Sequence, residues 1–250
     1  MDPIPPQADQ PGRNPVFRTT HWSIVQAAGN LNSPDAHAAL ELLCKTYWHP
    51  LYCFVRRFGY SPEDSQDLTQ SFLAKLIEKN QIVLADPDRG RFRTFLLGAL
   101  KNFLHNEHEW NNAQKRGGGL TFVSIDTQAA EDSYAAEPVD QLSPEQIYER
   151  RWAQTLLTGV LCRLKREFST SKQLEKLFDA LEPHLWGDET KTSYSDVATC
   201  LQMSIAAIKV TTHRLRKRHL KLLREEIAQT LAAGEDVSDE LQHLRRAVAG

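Results

Sequence analysis

The fold is decided by residues 193–224, which read SYSDVATCLQMSIAAIKVTTHRLRKRHLKLLR. Ser193, followed three residues later by Asp196, has the spacing of a capping box, which marks the start of a helix. Ser204 is a second residue of the type that begins helices, and a longer apolar pattern follows it. The stretch therefore predicts two helices with a tight turn between them at Gln202 and Met203.

The second of these helices has an apolar side and a cationic side. The apolar stripe consists of Ile205, Ile208, Leu215 and Leu222. The other side has no acid before Glu225 and carries Lys209, Arg214, Arg216, Lys217, Arg218, Lys221 and Arg224. A short helix, a turn and a basic second helix form a helix-turn-helix, whose second helix can lie in the DNA major groove. The alternative is a helix hairpin with a solvated basic face, because runs of charge are often only solvated surface.

The turn departs from the usual pattern at Gln202, a position that glycine often occupies. A left-handed backbone costs a residue other than glycine about 1 kcal/mol, so we expect a different turn geometry. Ala198 is small enough to allow close approach of the two helices, and Ile208 is spaced to pack back on it.

Composition is consistent with a helical protein whose charge is divided by region. The chain has 250 residues, 41% of them hydrophobic, and a net charge of −2. Residues 117–149 contain no Lys or Arg, and their acids are Asp126, Glu131, Asp132, Glu137, Asp140, Glu145 and Glu149. Such segregation indicates surfaces specialised by region.

The cysteines and the hydropathy indicate the compartment. Cys44, Cys53, Cys162 and Cys200 are scattered, form no CxxC motif and lie mostly in apolar helical patterns. We therefore expect buried, reduced thiols in a cytoplasmic protein. We also expect neither a signal peptide nor a membrane span, because no apolar run is long enough.

The predicted organisation is all-α, with two small helical domains joined by an acidic flexible linker. Its boundaries are a disordered, proline-rich N-terminus at 1–17, a first domain at 18–116, the linker at 117–143, a helix-turn-helix domain at 144–230, and a tail at 231–250 with a possible short helix. The sequence does not decide whether the tail docks on the body or pairs with a partner.

Two helices of the first domain carry functional signals. Ser61-Pro62 is a strong start for a helix to about Lys79, on which Asp67 and Gln70 are either solvated surface or a docking face. A long helix from about 91 to 112 interleaves aromatic residues with basic and amide side chains, a composition that suits single-stranded nucleic acid. The alternative is that Phe92, Phe95 and Phe103 fill the core, which we favour for Phe103. An earlier helix is expected to kink or restart at Pro50.

His105, His108 and Glu109 share one helix face and could hold a metal ion. A metal site needs further ligands and the HEXXH order is absent, so we favour a polar surface and expect no metal and no cofactor.

Three segments, in this order, resemble the extracytoplasmic-function sigma factors, the small two-domain initiation factors of bacterial RNA polymerase. They are SPEDSQDLTQSFLAKLIE at 61–78, RGRFRTFLLGALKNFLHNEHE at 89–109 and YSDVATCLQMSIAAIKVTTHRLRKRHLKLL at 194–223. THWSIV near His21, DPDRGRFRTFLL and AQKRGGG are similar to strings of one subgroup of that family. The resemblance covers about residues 18–228 and does not extend to the tail after Gly234.

The resemblance implies a role for each segment. The first binds the polymerase clamp through Asp64, Asp67, Leu68, Gln70, Phe72 and Lys75. The second melts the promoter and reads the minus-ten element through Arg91, Phe92, Arg93, Phe95, Lys101, Asn102 and His105. The third reads the minus-thirty-five element through Ser204 and the residues that follow it, with Ala207, Lys209, Thr211 and Thr212 towards the bases and Arg214, Arg216, Lys217 and Arg218 on phosphates.

The partners that follow from this resemblance are core RNA polymerase and promoter DNA, with no membrane and a monomeric free chain. The polymerase supplies the chemistry, so no catalytic residue is expected. Whether an anti-sigma protein also binds is left open. The competing class is a stand-alone helix-turn-helix regulator of duplex DNA, which would usually need a dimer interface. A helical enzyme is a third class, supported only by the His105 cluster.

Overall fold

The computed structural model describes residues 21–111, 131, 132, 134, 142–185 and 193–249, and all regular structure in these ranges is helical. This confirms the all-α prediction. The elements are α1 (Trp22–Gly29), α2 (Ala36–Arg57), α3 (Pro62–Glu78), a 3₁₀ turn (Gln81–Leu84), α4 (Phe92–Asn111), α5 (Pro144–Phe168), α6 (Lys172–Leu185), α7 (Tyr194–Leu201), α8 (Ile205–Ala228) and α9 (Val237–Ala249).

Helix starts lie where the capping signals predict them. The Ser61 hydroxyl accepts a hydrogen bond from the Asp64 amide at 3.0 Å, and Pro62 follows as the first helical residue. Ser143 and Gln146 form a complete capping box at the start of α5. Of the two outcomes predicted at Pro50, the restart does not occur, because α2 runs through this proline as a single helix. The kink stays a prediction.

The two halves of the chain pack against each other along α2 and α5. Tyr148 and Trp152 of α5 are buried, as are Leu51 and Phe54 of α2, and all four belong to one continuous apolar cluster that includes both halves. The division into two domains is therefore not visible as a gap in the core, and it stays a prediction.

The beginning of the described chain lies against the end of α8. The Trp22 indole donates a hydrogen bond to the Leu231 carbonyl at 2.9 Å, and His21 Nε2 lies 2.9 Å from a Glu226 carboxylate oxygen. Glu226 is only 3% exposed. Residues 21 and 22, which belong to the THWSIV string, thus connect the first half of the chain to the second.

Part of the predicted linker is docked on α2. Arg56 forms a bidentate ion pair with Glu131, at 2.8 and 2.9 Å, and the Tyr52 hydroxyl donates to the same carboxylate. Tyr134 is buried beneath the Arg56 guanidinium, whose carbon lies 4.9 Å from the ring centroid. Glu131 and Tyr134 of the predicted linker thus have partners on α2, and the flexible linker as a whole stays a prediction. Most of the linker, including 117–130, lies outside the described residues, as does the N-terminus predicted to be disordered.

The cysteine prediction holds only for the first half of the chain. Cys53 is buried and Cys44 is half-buried, and burial raises the pKa of the Cys44 thiol to about 11. Cys162 and Cys200 are exposed, because each lies on the outer side of its helix. None of the described helices combines the length and apolar character needed to cross a membrane.

Replacing Glu131 with Gln should lower the free energy of unfolding by about 1–2 kcal/mol at pH 7. Hydrogen bonds from Arg56 lower the pKa of the folded carboxyl below its unfolded value. The stabilisation is therefore complete above the unfolded pKa and is lost as the pH falls through the folded pKa. Urea unfolding at pH 7 measures the loss of unfolding free energy, and its repetition at pH 3 measures how much of that loss depends on pH.

The matched control is Glu78→Gln, which changes an exposed carboxylate at the end of α3. It should change stability little at either pH. An equal deficit of Glu131→Gln at both pH values would contradict the assignment to a charged interaction.

Candidate nucleic-acid interface

The α7–α8 pair is held by caps at both helix starts. Ser193 and Asp196 form a reciprocal capping box before α7, and the Ser204 hydroxyl accepts a hydrogen bond from the Ala207 amide at 3.1 Å. Only residues 202–204 separate the helices. Ala198 is 5% exposed and Ile208 is fully buried, in agreement with the predicted close approach of α7 and α8.

The geometry of the turn differs from the expectation. Gln202 adopts the left-handed conformation, with φ 54° and ψ 41°, although it is not glycine. The Met203 amide donates to the Ala198 carbonyl at 3.0 Å, which closes the end of α7. The turn therefore keeps the backbone that a glycine would favour and accepts the strain.

The cationic side chains of α8 divide into an exposed set and a set with structural partners. The exposed residues along one face are Ala206, Lys209, Val210, His213, Arg214, Lys217, Leu220, Lys221 and Arg224. Arg216 instead donates two hydrogen bonds to the His184 carbonyl at the end of α6. Arg218 pairs with Glu167 of α5 at 2.7 and 2.9 Å. Two of the four predicted phosphate contacts thus connect α8 to its neighbours.

The residues predicted to contact base edges also include both exposed and buried side chains. Lys209 is exposed, whereas Thr212 is 1% exposed and its hydroxyl donates to the Ile208 carbonyl at 3.0 Å. Thr212 lies four residues after Ile208 and three before Leu215, so it belongs to the apolar stripe. The prediction that Thr212 meets base edges does not fit this position. The same helical spacing would have identified Ala206 and Val210, which were not predicted, as members of the exposed face.

A second candidate surface is the groove between α3 and α4, a cavity of about 550 Å³. It is lined by the aromatic rings of Phe95 and Phe103, the amides of Asn102 and Asn106, the amines of Lys75 and Lys79, and the carboxylate of Glu107, which forms an ion pair with Lys75. Lys75 Nζ lies 4.9 Å from the Phe103 ring centroid. Rings, amides and cations in one groove are the groups that hold unpaired bases and their phosphates.

The beginning of α4 is not part of this groove, contrary to the prediction. Phe92 is 3% exposed and contacts Tyr47 edge-on in the core. Arg93 is 2% exposed, with its guanidinium carbon 4.1 Å from the Trp152 ring centroid and its Nε 3.0 Å from Glu149. Neither side chain can reach a ligand in this arrangement, because Trp22 and Tyr47 enclose Phe92. Arg93 is enclosed by Glu149 and Trp152 of α5 and by Glu240 of α9.

The other predicted members of this set lie elsewhere on α4. Arg91 pairs with acids of the C-terminal segment. Lys101 Nζ lies 2.6 Å from Glu145, and Lys101 and His105 line a separate pocket beside Phe58 and Tyr60. His105 is the only member of the suggested metal cluster whose side chain is described. Elsewhere in the described ranges, no group of three or more potential metal ligands occurs.

The predicted polymerase-binding set lies along α3 and is partly exposed. Asp67 is exposed, and Leu68 and Gln70 are half-buried. Asp64 is also exposed but caps the helix with Ser61, and Phe72 is 2% exposed against Phe103. Phe72 therefore belongs to the core, and the surface available to a partner consists of Asp67, Gln70 and their neighbours.

Comparison of this chain with protein-family models, with curated proteins and with solved structures finds no match.

Replacing Gln202 with Gly should raise the free energy of unfolding by about 0.5–1 kcal/mol. Relief of left-handed strain, about 1–2 kcal/mol, outweighs the backbone entropy that glycine adds to the unfolded chain. Urea denaturation measures the difference. Gln229→Gly is the control, because this residue also ends a helix but has φ −78°. It should destabilise the protein, and a gain in both variants would remove the strain explanation.

Proposed function

We propose that this protein is a sigma factor, which binds core RNA polymerase, recognises two promoter elements and assists promoter melting. The observation that carries the proposal is the exposed face of α8, which bears Lys209, Arg214 and Lys217. This helix is the second of two that are joined by a three-residue turn. A helix presented in this way has the cations and the short side chains that the major groove requires.

The groove between α3 and α4 supports the melting role. Phe95 and Phe103 offer stacking surfaces and Lys79 offers positive charge in the same cavity, whereas Lys75 pairs with Glu107 there. Stacking of one base on an aromatic side chain is worth about 1–3 kcal/mol. This is comparable to the cost of unstacking a base pair step, so capture of an unpaired base would favour the melted state.

The contacts of α8 with its neighbours reduce the number of cations that are available to bind phosphate. Arg216 and Arg218 are held by His184 and Glu167, so the phosphate contacts are assigned to Arg214 and Lys217. Base edges are then met nearer the start of α8, by Lys209 and by the exposed apolar side chain of Val210, which suits a thymine methyl group. The interaction with polymerase is assigned to the exposed side of α3.

Replacing both Asp67 and Gln70 with Ala should reduce binding to bacterial core RNA polymerase at least tenfold, because both residues lie on the side of α3 assigned to the clamp. Alanine favours helix, so the fold should be kept. Co-purification with core polymerase and run-off transcription from a mapped start measure the effect.

The control for this experiment is Glu175→Ala, an exposed acid on α6. It should bind polymerase as the unmodified chain does. If the unmodified chain binds duplex DNA but never associates with polymerase, the proposal fails in favour of a stand-alone regulator.

Duplex DNA binding by the full chain should weaken steeply with salt, with a log–log slope of about −3 to −4.5 if three to five phosphates are neutralised. Lys217→Ala should make this slope shallower by about 1, because an exposed cation is lost. The adjacent Arg218→Ala should leave the slope nearly unchanged, since Arg218 pairs with Glu167. Fluorescence anisotropy between 50 and 200 mM salt measures the slope of each variant. Equal effects of the two variants would contradict the assignment of Lys217, but not Arg218, to a phosphate contact.

A further inference from the structure

The C-terminal helix α9 packs on α5 and α8, and its Glu240 side chain reaches Arg91 and Arg93 at the beginning of α4. Glu240 of α9 is 0% exposed, with one carboxylate oxygen 2.5 Å from Arg91 Nη1 and the other 2.8 Å from Arg93 Nη2. A single carboxylate thus bridges two guanidinium groups. Arginine guanidinium groups commonly bind the oxygens of a phosphate in the same way.

The two arginines differ in what else holds them. Arg93 keeps partners outside the C-terminal segment, because Glu149 and the Trp152 ring both belong to α5. Arg91 has acidic partners from the C-terminal segment, Glu240 and also Glu235, whose carboxylate lies 2.7 Å from Arg91 Nε. Departure of this segment would remove both of these acids from Arg91 and leave Arg93 fixed.

The docking of α9 rests on few buried groups. Glu240 and Leu244 are its buried residues, and Val237, Leu241 and Val248 are half-buried. A buried ion pair contributes little net stability, because desolvation of both charges offsets their attraction. A helix of 13 residues is also only marginally stable away from the body. An anion that replaces the Glu240 carboxylate on both guanidinium groups therefore competes mainly against the packing of α9 on α5 and α8.

We propose that Arg91 and Arg93 form an anion site, that Glu240 occupies this site in the free chain, and that a phosphate of single-stranded DNA takes its place when α9 detaches. Arg91 lies one helical turn before Phe95, whose amide donates to the Arg91 carbonyl and whose ring lines the α3–α4 groove. A strand held in the groove would therefore continue onto Arg91. The inference rests on the proposed function. It adds that the tail competes with nucleic acid for α4.

The decisive variant is Leu244→Ser in the full chain, which weakens the docking of α9 without changing any charge. It should bind a fluorescein-labelled 20-nucleotide oligodeoxythymidine about tenfold more tightly than the unmodified chain, measured by anisotropy. Adding Arg91→Ala to this variant should abolish the gain. The control Gln242→Ala, at an exposed position of α9, should show no gain.

Hydrogen exchange provides a second measurement that does not depend on how well the variant folds. In the unmodified chain, the oligodeoxythymidine should accelerate exchange of the α9 amides, because phosphate displaces Glu240. Unchanged α9 exchange, a Leu244→Ser variant with unmodified affinity, or a gain that survives Arg91→Ala would each overturn the proposal.

The outcomes also separate this inference from the proposed function. An Arg91-dependent gain in a chain that never binds core polymerase would support the anion site and reject the sigma-factor role. Binding to core polymerase, together with an unchanged affinity of Leu244→Ser for the oligodeoxythymidine, would support the sigma-factor role and reject the anion site.

Discussion

The buried charge of Arg93 is the constraint on which the arrangement of the chain depends. A guanidinium that is 2% exposed would cost several kcal/mol without compensation. Its compensation comes from three side chains, namely Glu149 and Trp152 of α5 and Glu240 of α9. The Tyr148 hydroxyl, which donates to the Arg93 carbonyl at 3.0 Å, holds the backbone at the same point. One side chain thus connects α4 to both of the helices that cover it.

Like Arg93, several other arginines are held by partners within the chain, and this limits which cations can bind a ligand. Arg93, Arg216 and Arg218 have structural partners, whereas Lys209, Arg214 and Lys217 are exposed on α8. A polyanion therefore meets fewer positive charges than the composition suggests. The exposed charges also lie along one helix face, which gives them a direction that a diffuse basic surface would lack. Such a face can be aligned with one groove of a duplex.

Sequence reasoning located the helices and several of their contacts. Ser61, Ser193 and Ser204 begin helices as predicted, because a cap depends on residues only three positions apart. The burial of Thr212 was also accessible from the sequence, since its spacing from Ile208 and Leu215 is that of the apolar stripe. The conformation of Gln202 was not, because packing of α7 on α8 overrides a local preference of about 1 kcal/mol.

The sequence by itself determined the helical class, the helix starts and the amphipathic character of α8, since all of these depend on neighbours within about one or two turns. Only the tertiary structure decided which charges face solvent. The partners of Arg93 are 56 residues away in Glu149 and still further away in Glu240, and no local pattern relates them. The docking of α9 has the same origin, because a buried carboxylate is stable only where a distant part of the chain supplies its counter-charge.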